Sequence, residues 1–346
     1  MIIKHKLLQK ILDSAVDNKK IFGTSFCIKH GKENWCGASG NLGTDQSYFI
    51  ASTTKLFITA IILRYRSQGL LDLNDRIGKY LSSDIVAGLN VVKGRDYSHE
   101  ITIRDLLAHT SGIPDYFQKK DASGNSWENQ LLSGIDFSWT FDEAIARSKS
   151  LPPPFPPGAK NKAHYSDTNF QLLGKIIEFI SQEQIQKVYE EQLFEPLNLK
   201  RTYQYSDKLD IRPKPLYYKN KILHIPQAMS SFGADGGMVS TSREMMVFLH
   251  AFFTGVLFPY EYLEELTQWK PIFFPLQSGI GIHRFKLLWI FNPTGAIPAL
   301  IGHSGLSGAV AFCNPEKNLY ISGTVNQVAY ADSSFRLMIK LMQTLL

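Results

Sequence analysis

Cysteine is scarce: Cys27, Cys36 and Cys313 are the only three in 346 residues. Three are too few for a disulfide framework, and an odd number suits a reducing compartment. A hairpin turning at Gly31-Lys32 would set Cys27 opposite Cys36, but free thiols in packed strands are the expectation. Long apolar runs are missing as well, and no stretch approaches the roughly 18–20 residues of a bilayer-spanning helix. The opening stretch "MIIKHKLLQKILDSAV" interrupts its apolar residues with Lys4, His5, Lys6 and Lys10, so it has no signal-peptide core. A cytoplasmic protein is therefore expected, with an exported form left open if a leader has been removed. Strong charge bias is also lacking. The 37 Lys and Arg against 31 Asp and Glu give +6, spread along the chain, which is no nucleic-acid footprint. The expected partner is a small-molecule or peptide substrate, with no cofactor and no metal; oligomeric state stays open.

What is present is ordinary soluble composition, 44% hydrophobic and 20% charged. Leu7, Leu8, Ile11, Leu12 and Ala15 recur at helical spacing near the N-terminus. "TSFCIKH" and "NWCGASG" then read as an opening antiparallel hairpin, and "GAVAFC" and "LYISGTV" flank the turn "NPEKN" near the end. A helix closes the chain, with Phe335, Met338, Ile339 and Met342 on one face. Between these ends lie helical patterns such as "TFDEAIARS" and "NFQLLGKIIEFI". The fold expected is α/β: an antiparallel sheet flanked by helices, from 1–75 and 231–346, with a mostly helical lobe inserted at 76–230.

The stretch "FIASTTKLFITAIILRYR" carries the chemistry. Leu56 to Leu63 are all apolar or small, so this helix reads as buried on every side. Lys55 stands at its head and Ser52 one turn earlier, on the same face. A lysine in an apolar core needs a partner or gives up its proton, and a neutral lysine could take one from serine. Alone, a single S-x-x-K says little, because a serine helix cap and a snorkelling lysine give the same pattern. Two further stretches agree with it. "AHYSDTNFQLLGKIIEFI" places Tyr165 ahead of an amphipathic helix, and "IGHSGLSGAV" offers a strand edge bearing His303, Ser304 and Gly305.

With these three motifs in order, and with "LLAHTSGIPDY" and "GADGGMVSTSREMMVF" between them, the sequence resembles the serine β-lactamase and penicillin-binding protein family. It is most similar to the branch of class C β-lactamases, D-alanyl-D-alanine carboxypeptidases, D-aminopeptidases and related esterases. The resemblance runs from about residue 20 to the C-terminus. It implies the β-lactamase/transpeptidase-like fold with an active site between two lobes. It also implies a serine hydrolase acting through an acyl-enzyme on amides or esters. Ser52 would be the nucleophile, with Lys55 and Tyr165 relaying its proton. Asp167, His303, Ser304, Gly305 and Leu306 would bind substrate, and the N–H groups of Ser52 and Leu306 would form the oxyanion hole. Tyr165 is preferred over the other tripeptides Tyr205-Ser206-Asp207 and Tyr218-Lys219-Asn220, which lack a helix behind them. The alternative is a penicillin-binding-like scaffold without turnover.

Two residues depart from the family pattern. Asp167 stands where asparagine is usual; a carboxylate cannot donate to a substrate carbonyl, and beside Lys55 it favours the ammonium. His303 stands where many relatives carry lysine, which implies a substrate without a carboxylate there or one bound better in mild acid. Both make a D-amino-acid peptide or a small ester a better expectation than penicillin.

Overall fold

The computed structural model describes residues 2–292, 295 and 297–345. Strands β1 (Gly23–His30) and β2 (Glu33–Gly40) form the expected hairpin, turning through Gly31 at φ +60 and Lys32. Six later strands complete the main sheet: β3 (Lys270–Phe273), β4 (Leu276–Ser278), β5 (His283–Phe285), β6 (Leu300–Ser304), β7 (Ala309–Asn314) and β8 (Leu319–Thr324). All pairs are antiparallel, in the order β3-β4-β5-β6-β7-β8-β1-β2.

The two-residue period of β7 shows how the sheet is sandwiched. Val310 and Phe312 face a core shared with α1 (Ile2–Ala15) and α5 (Asp332–Leu345), through Leu8, Leu12, Met338 and Leu341. Ala309, Ala311 and Cys313 face the larger core, which contains α2 (Lys55–Ser67) and α4 (Ser242–Phe253). Small side chains on that side fit the helices closely against the sheet. As its unbroken apolar run requires, α2 is buried from Lys55 through Leu63.

Residues 76–230 contribute no strand to the main sheet. Their longest helix, α3 (Asp167–Ser181), turns Leu172, Leu173, Ile176 and Ile177 into the same core as Ile58, Ile61 and Ile62 of α2. It ends on Gln182 in the left-handed conformation, φ +57. No helix among the described residues is long and apolar enough to cross a membrane.

The expectation of three free thiols is overturned. Cys27 and Cys36 are direct cross-strand neighbours with Cα atoms 4.1 Å apart, and their sulfurs are bonded. The hairpin register alone delivers the two side chains to each other, so no framework of further cysteines is needed. Cys313 is free and buried in β7.

Candidate active site

The nucleophile candidate sits on a tight turn. Ala51 has φ +46, a region costly for a residue with a Cβ, and a 3-10 turn over Ala51–Thr54 leads into α2. Thr53 Oγ1 donates to the Ile50 carbonyl at 2.7 Å, and Gly305 packs on the same segment. A Cβ on Gly305 would lie 2.4 Å from the Ile50 carbonyl oxygen and 3.2 Å from the Ser52 nitrogen, so only glycine lets the end of β6 come this close. The Leu306 N–H that follows makes no backbone hydrogen bond among the described residues.

Two side chains converge on Ser52 Oγ. Tyr165 Oη donates to it at 2.7 Å, and Lys55 Nζ donates to it at 3.3 Å. Lys55 Nζ also donates to Asp167 Oδ1 at 2.5 Å and to the Asp235 carbonyl. Three acceptors around one nitrogen complement the three N–H bonds of an ammonium. The lysine is fully buried, and its ammonium lies 5.0 Å and 5.3 Å from the ring centres of Tyr165 and Phe170. Burial, then the charge of Asp167, holds the Tyr165 phenol well above its usual range, so it is a neutral proton donor at rest.

Three carboxyl groups gather beneath this lysine. Asp167 begins α3 but does not cap it; its side chain turns to Lys55, while its N–H donates to Asp115 Oδ2 at 2.6 Å. Asp115 also accepts from the Phe117 and Gln118 N–H groups. Asp235 accepts from Tyr116 Oη at 2.6 Å and from Gln171 Nε2 at 3.0 Å. Burial, reinforced by the Asp167 charge, raises Asp115 to about 7 and Asp235 to about 6. The buried lysine thus contacts the Asp167 carboxylate directly, with two carboxyls that ionise reluctantly nearby.

Three histidines close the other side, all held neutral chiefly by burial. His109, with φ +57, accepts from the Ser166 N–H at Nδ1 (3.2 Å) and stacks on Tyr165 at 4.7 Å between ring centres. It therefore fixes the position of the tyrosine. His303 is 2% exposed and pushed well below its usual value. Its Nδ1 lies 2.8 Å from the Ser304 carbonyl oxygen, which can only accept. Nδ1 therefore carries the proton, and Nε2 is an acceptor. Burial thus works against the charged imidazole that a substrate bound better in mild acid would need. His283 of β5 stacks on His303 at 4.0 Å.

Ser52, Tyr165, Asp167, His303, Ser304, Gly305 and Leu306 all line one cavity of about 470 Å³, with Lys55 beneath its floor. The alternative tyrosines lie elsewhere. Tyr205 Oη donates to the Asp210 carbonyl, and Tyr218-Lys219-Asn220 belongs to a small hairpin of Leu216–Tyr218 with Lys221–Leu223. Sequence reasoning missed Asp115, Asp235 and His283. The first two lie inside "LLAHTSGIPDY" and "GADGGMVSTS", where an acidic residue in a glycine-rich or turn segment was the available signal. His283, in "GIGIHRF", gave none.

A serine on a strained turn, a buried lysine and a tyrosine on its oxygen, and a glycine-tight strand edge meet at one cavity on an antiparallel α/β frame. A family model described as Beta-lactamase matches residues 8–339, and the chain belongs to that family. It is 23% identical over 309 residues to a putative D-alanyl-D-alanine carboxypeptidase of Escherichia coli K12, covering 80% of this chain and 68% of that one. Among solved structures it resembles a D-stereospecific amidohydrolase from Streptomyces sp., with TM-score 0.79, 26% identity and coverage of 98% and 97%. It also resembles the D-amino acid amidase of Ochrobactrum anthropi SV3, with TM-score 0.80, 22% identity and coverage of 99% of both chains. The fold is β-lactamase/transpeptidase-like, and the protein is a hydrolase of the Beta-lactamase family.

Proposed function

We propose that the protein cleaves amides or esters through an acyl-enzyme on Ser52, and that its preferred substrate has an apolar acyl group and no free carboxylate. The observation that carries this is the joint approach of Tyr165 Oη and Lys55 Nζ to Ser52 Oγ, at 2.7 Å and 3.3 Å. Ser52 Oγ attacks the carbonyl carbon while its proton passes to Tyr165 Oη, which hands its own proton to the leaving nitrogen or oxygen. The C–N or C–O bond then breaks, and the phenol is neutral before and after. Lys55, as an ammonium, stabilises negative charge on the two oxygens during the transfer. The N–H groups of Ser52 and Leu306 receive the carbonyl oxygen as it becomes an oxyanion; such a donor is typically worth ~10²–10³ in kcat. Water attacks the acyl-enzyme by the same relay in reverse.

The substrate preference rests on the walls of the cavity. Phe117, Leu131, Ile225, Met229, Phe232 and Phe273 line it, and its volume suits a small ligand. Neutral His303 offers a carboxylate no cation. The likeness to a D-stereospecific amidohydrolase and a D-amino acid amidase favours amides over penicillins. A non-turnover scaffold is the second reading, because Asp167 pairs with the lysine such a mechanism employs. A fluorophosphonate label and p-nitrophenyl acetate hydrolysis separate the two. The hydrolase reading expects both to occur and both to vanish in Ser52→Ala. No label on the native protein, with hydrolysis equal in the variant, favours the scaffold.

A further inference from the structure

His283 plays no part in the relay, yet it lines the substrate cavity and is 2% exposed. Neither of its ring nitrogens has a hydrogen-bond partner among the described residues. A buried polar group without a partner is costly, and a ligand that supplies the partner recovers that cost. Its position is fixed. It pairs with Gly302 across β5 and β6, stacks on His303 at 4.0 Å, and lies 6.2 Å from the Tyr165 ring centre. Its imidazole is lowered to about 3 by burial and then by the Lys55 charge, so it presents one donor and one acceptor rather than two donors.

The rest of the wall agrees in charge. Glu128, Asp167, Asp235 and Asp332 line the cavity, and no lysine or arginine is among the described residues that do. Asp167 is already paired with Lys55 and burial raises Asp235 and Glu128, so the wall offers a carboxylate no unpaired cation, whereas a neutral group needs none.

We propose that His283 is a specificity-determining residue that hydrogen-bonds a neutral amide unit of the substrate beside His303, so that the enzyme selects carboxamide-bearing substrates over their free-acid counterparts. The acceptor nitrogen can take an amide N–H, which a carboxylate does not offer, and a carboxylate also brings a charge with no cation to meet it. This inference rests on the hydrolase reading above.

The test compares two substrates that share an aromatic acyl group and differ in the leaving residue, glycinamide or glycine. Wild type is expected to favour the glycinamide substrate by roughly tenfold or more in kcat/KM, mainly through KM. His283→Phe keeps a ring against His303 but removes both nitrogens, and its ratio should fall towards one. His283→Asn, with one donor and one acceptor, should keep part of the preference. Thermal melts report whether each variant is folded. An undiminished ratio in folded His283→Phe, or a wild-type preference for the free acid, overturns the proposal. If no Ser52-dependent turnover occurs, the hydrolase reading has failed instead. Calorimetric binding of the same two compounds to the Ser52→Ala protein, with and without His283→Phe, then reads the preference by itself.

Discussion

Lys55 Nζ lies 2.5 Å from Asp167 Oδ1, the lysine fully buried and the aspartate side chain 8% exposed. The ammonium that seemed misplaced at the head of an apolar helix has its counter-ion, supplied by the first residue of a helix 112 positions away. Asparagine at position 167 would keep an acceptor and lose the charge. Breaking one side of a buried pair typically costs about 3 kcal/mol or more. Asp167→Asn is expected to lose stability on that scale in urea unfolding; an unchanged midpoint would mean that the pair carries no net charge interaction.

Tyr165→Phe removes the hydroxyl 2.7 Å from Ser52 Oγ while keeping the ring against His109. Steady-state kinetics on an ester substrate should show kcat reduced by ~10²–10⁴ with little change in KM. A drop of less than about threefold would remove the phenol from the relay.

Asp115 and Asp235 tie stability to pH. Each folded value, about 7 and about 6, lies above the unfolded 3.8, so the fold binds more protons between those values. Their contribution is full below about 4 and is lost as pH rises through the folded values. The buried histidines, lowered below 6.5, give an opposite slope that cancels when a variant is compared with wild type. Asp235→Asn keeps hydrogen-bonding partners for Tyr116 and Gln171 without the titration. Its Tm relative to wild type should improve between pH 4 and 7; a constant difference would contradict the shift.

The Cys27–Cys36 bond predicts thiol counts. Denatured, unreduced protein should react with one equivalent of Ellman's reagent, from Cys313, and reduced protein with three. Three equivalents without reduction would restore the free-thiol expectation.

Much of this architecture was legible because local rules dictated it. The apolar run after Lys55 made α2 buried all round, and the Gly31-Lys32 turn set the register that faces Cys27 with Cys36. Register says which side chains meet, however, and whether two thiols then bond depends on redox conditions that composition reflects poorly. Motif order pointed to Ser52, Lys55, Tyr165 and the His303-Ser304-Gly305 edge, which the fold brings around one cavity. The carboxyl cluster was not legible in the same way. Asp115, Asp167 and Asp235 come from three separated segments, and only the packed structure shows that they share one cation. His283 lies on a three-residue strand too short for a periodic signal, and its missing partners are a property of its surroundings alone.

The central claim is that Ser52 becomes acylated through Tyr165 and Lys55. Mass spectrometry of protein mixed with an aromatic-acyl ester and quenched early tests it most directly. The account predicts a single added acyl group on the peptide containing Ser52, absent from Ser52→Ala and sharply slowed in Tyr165→Phe. Acylation of another residue, or ester hydrolysis that proceeds unchanged in Ser52→Ala, would contradict it.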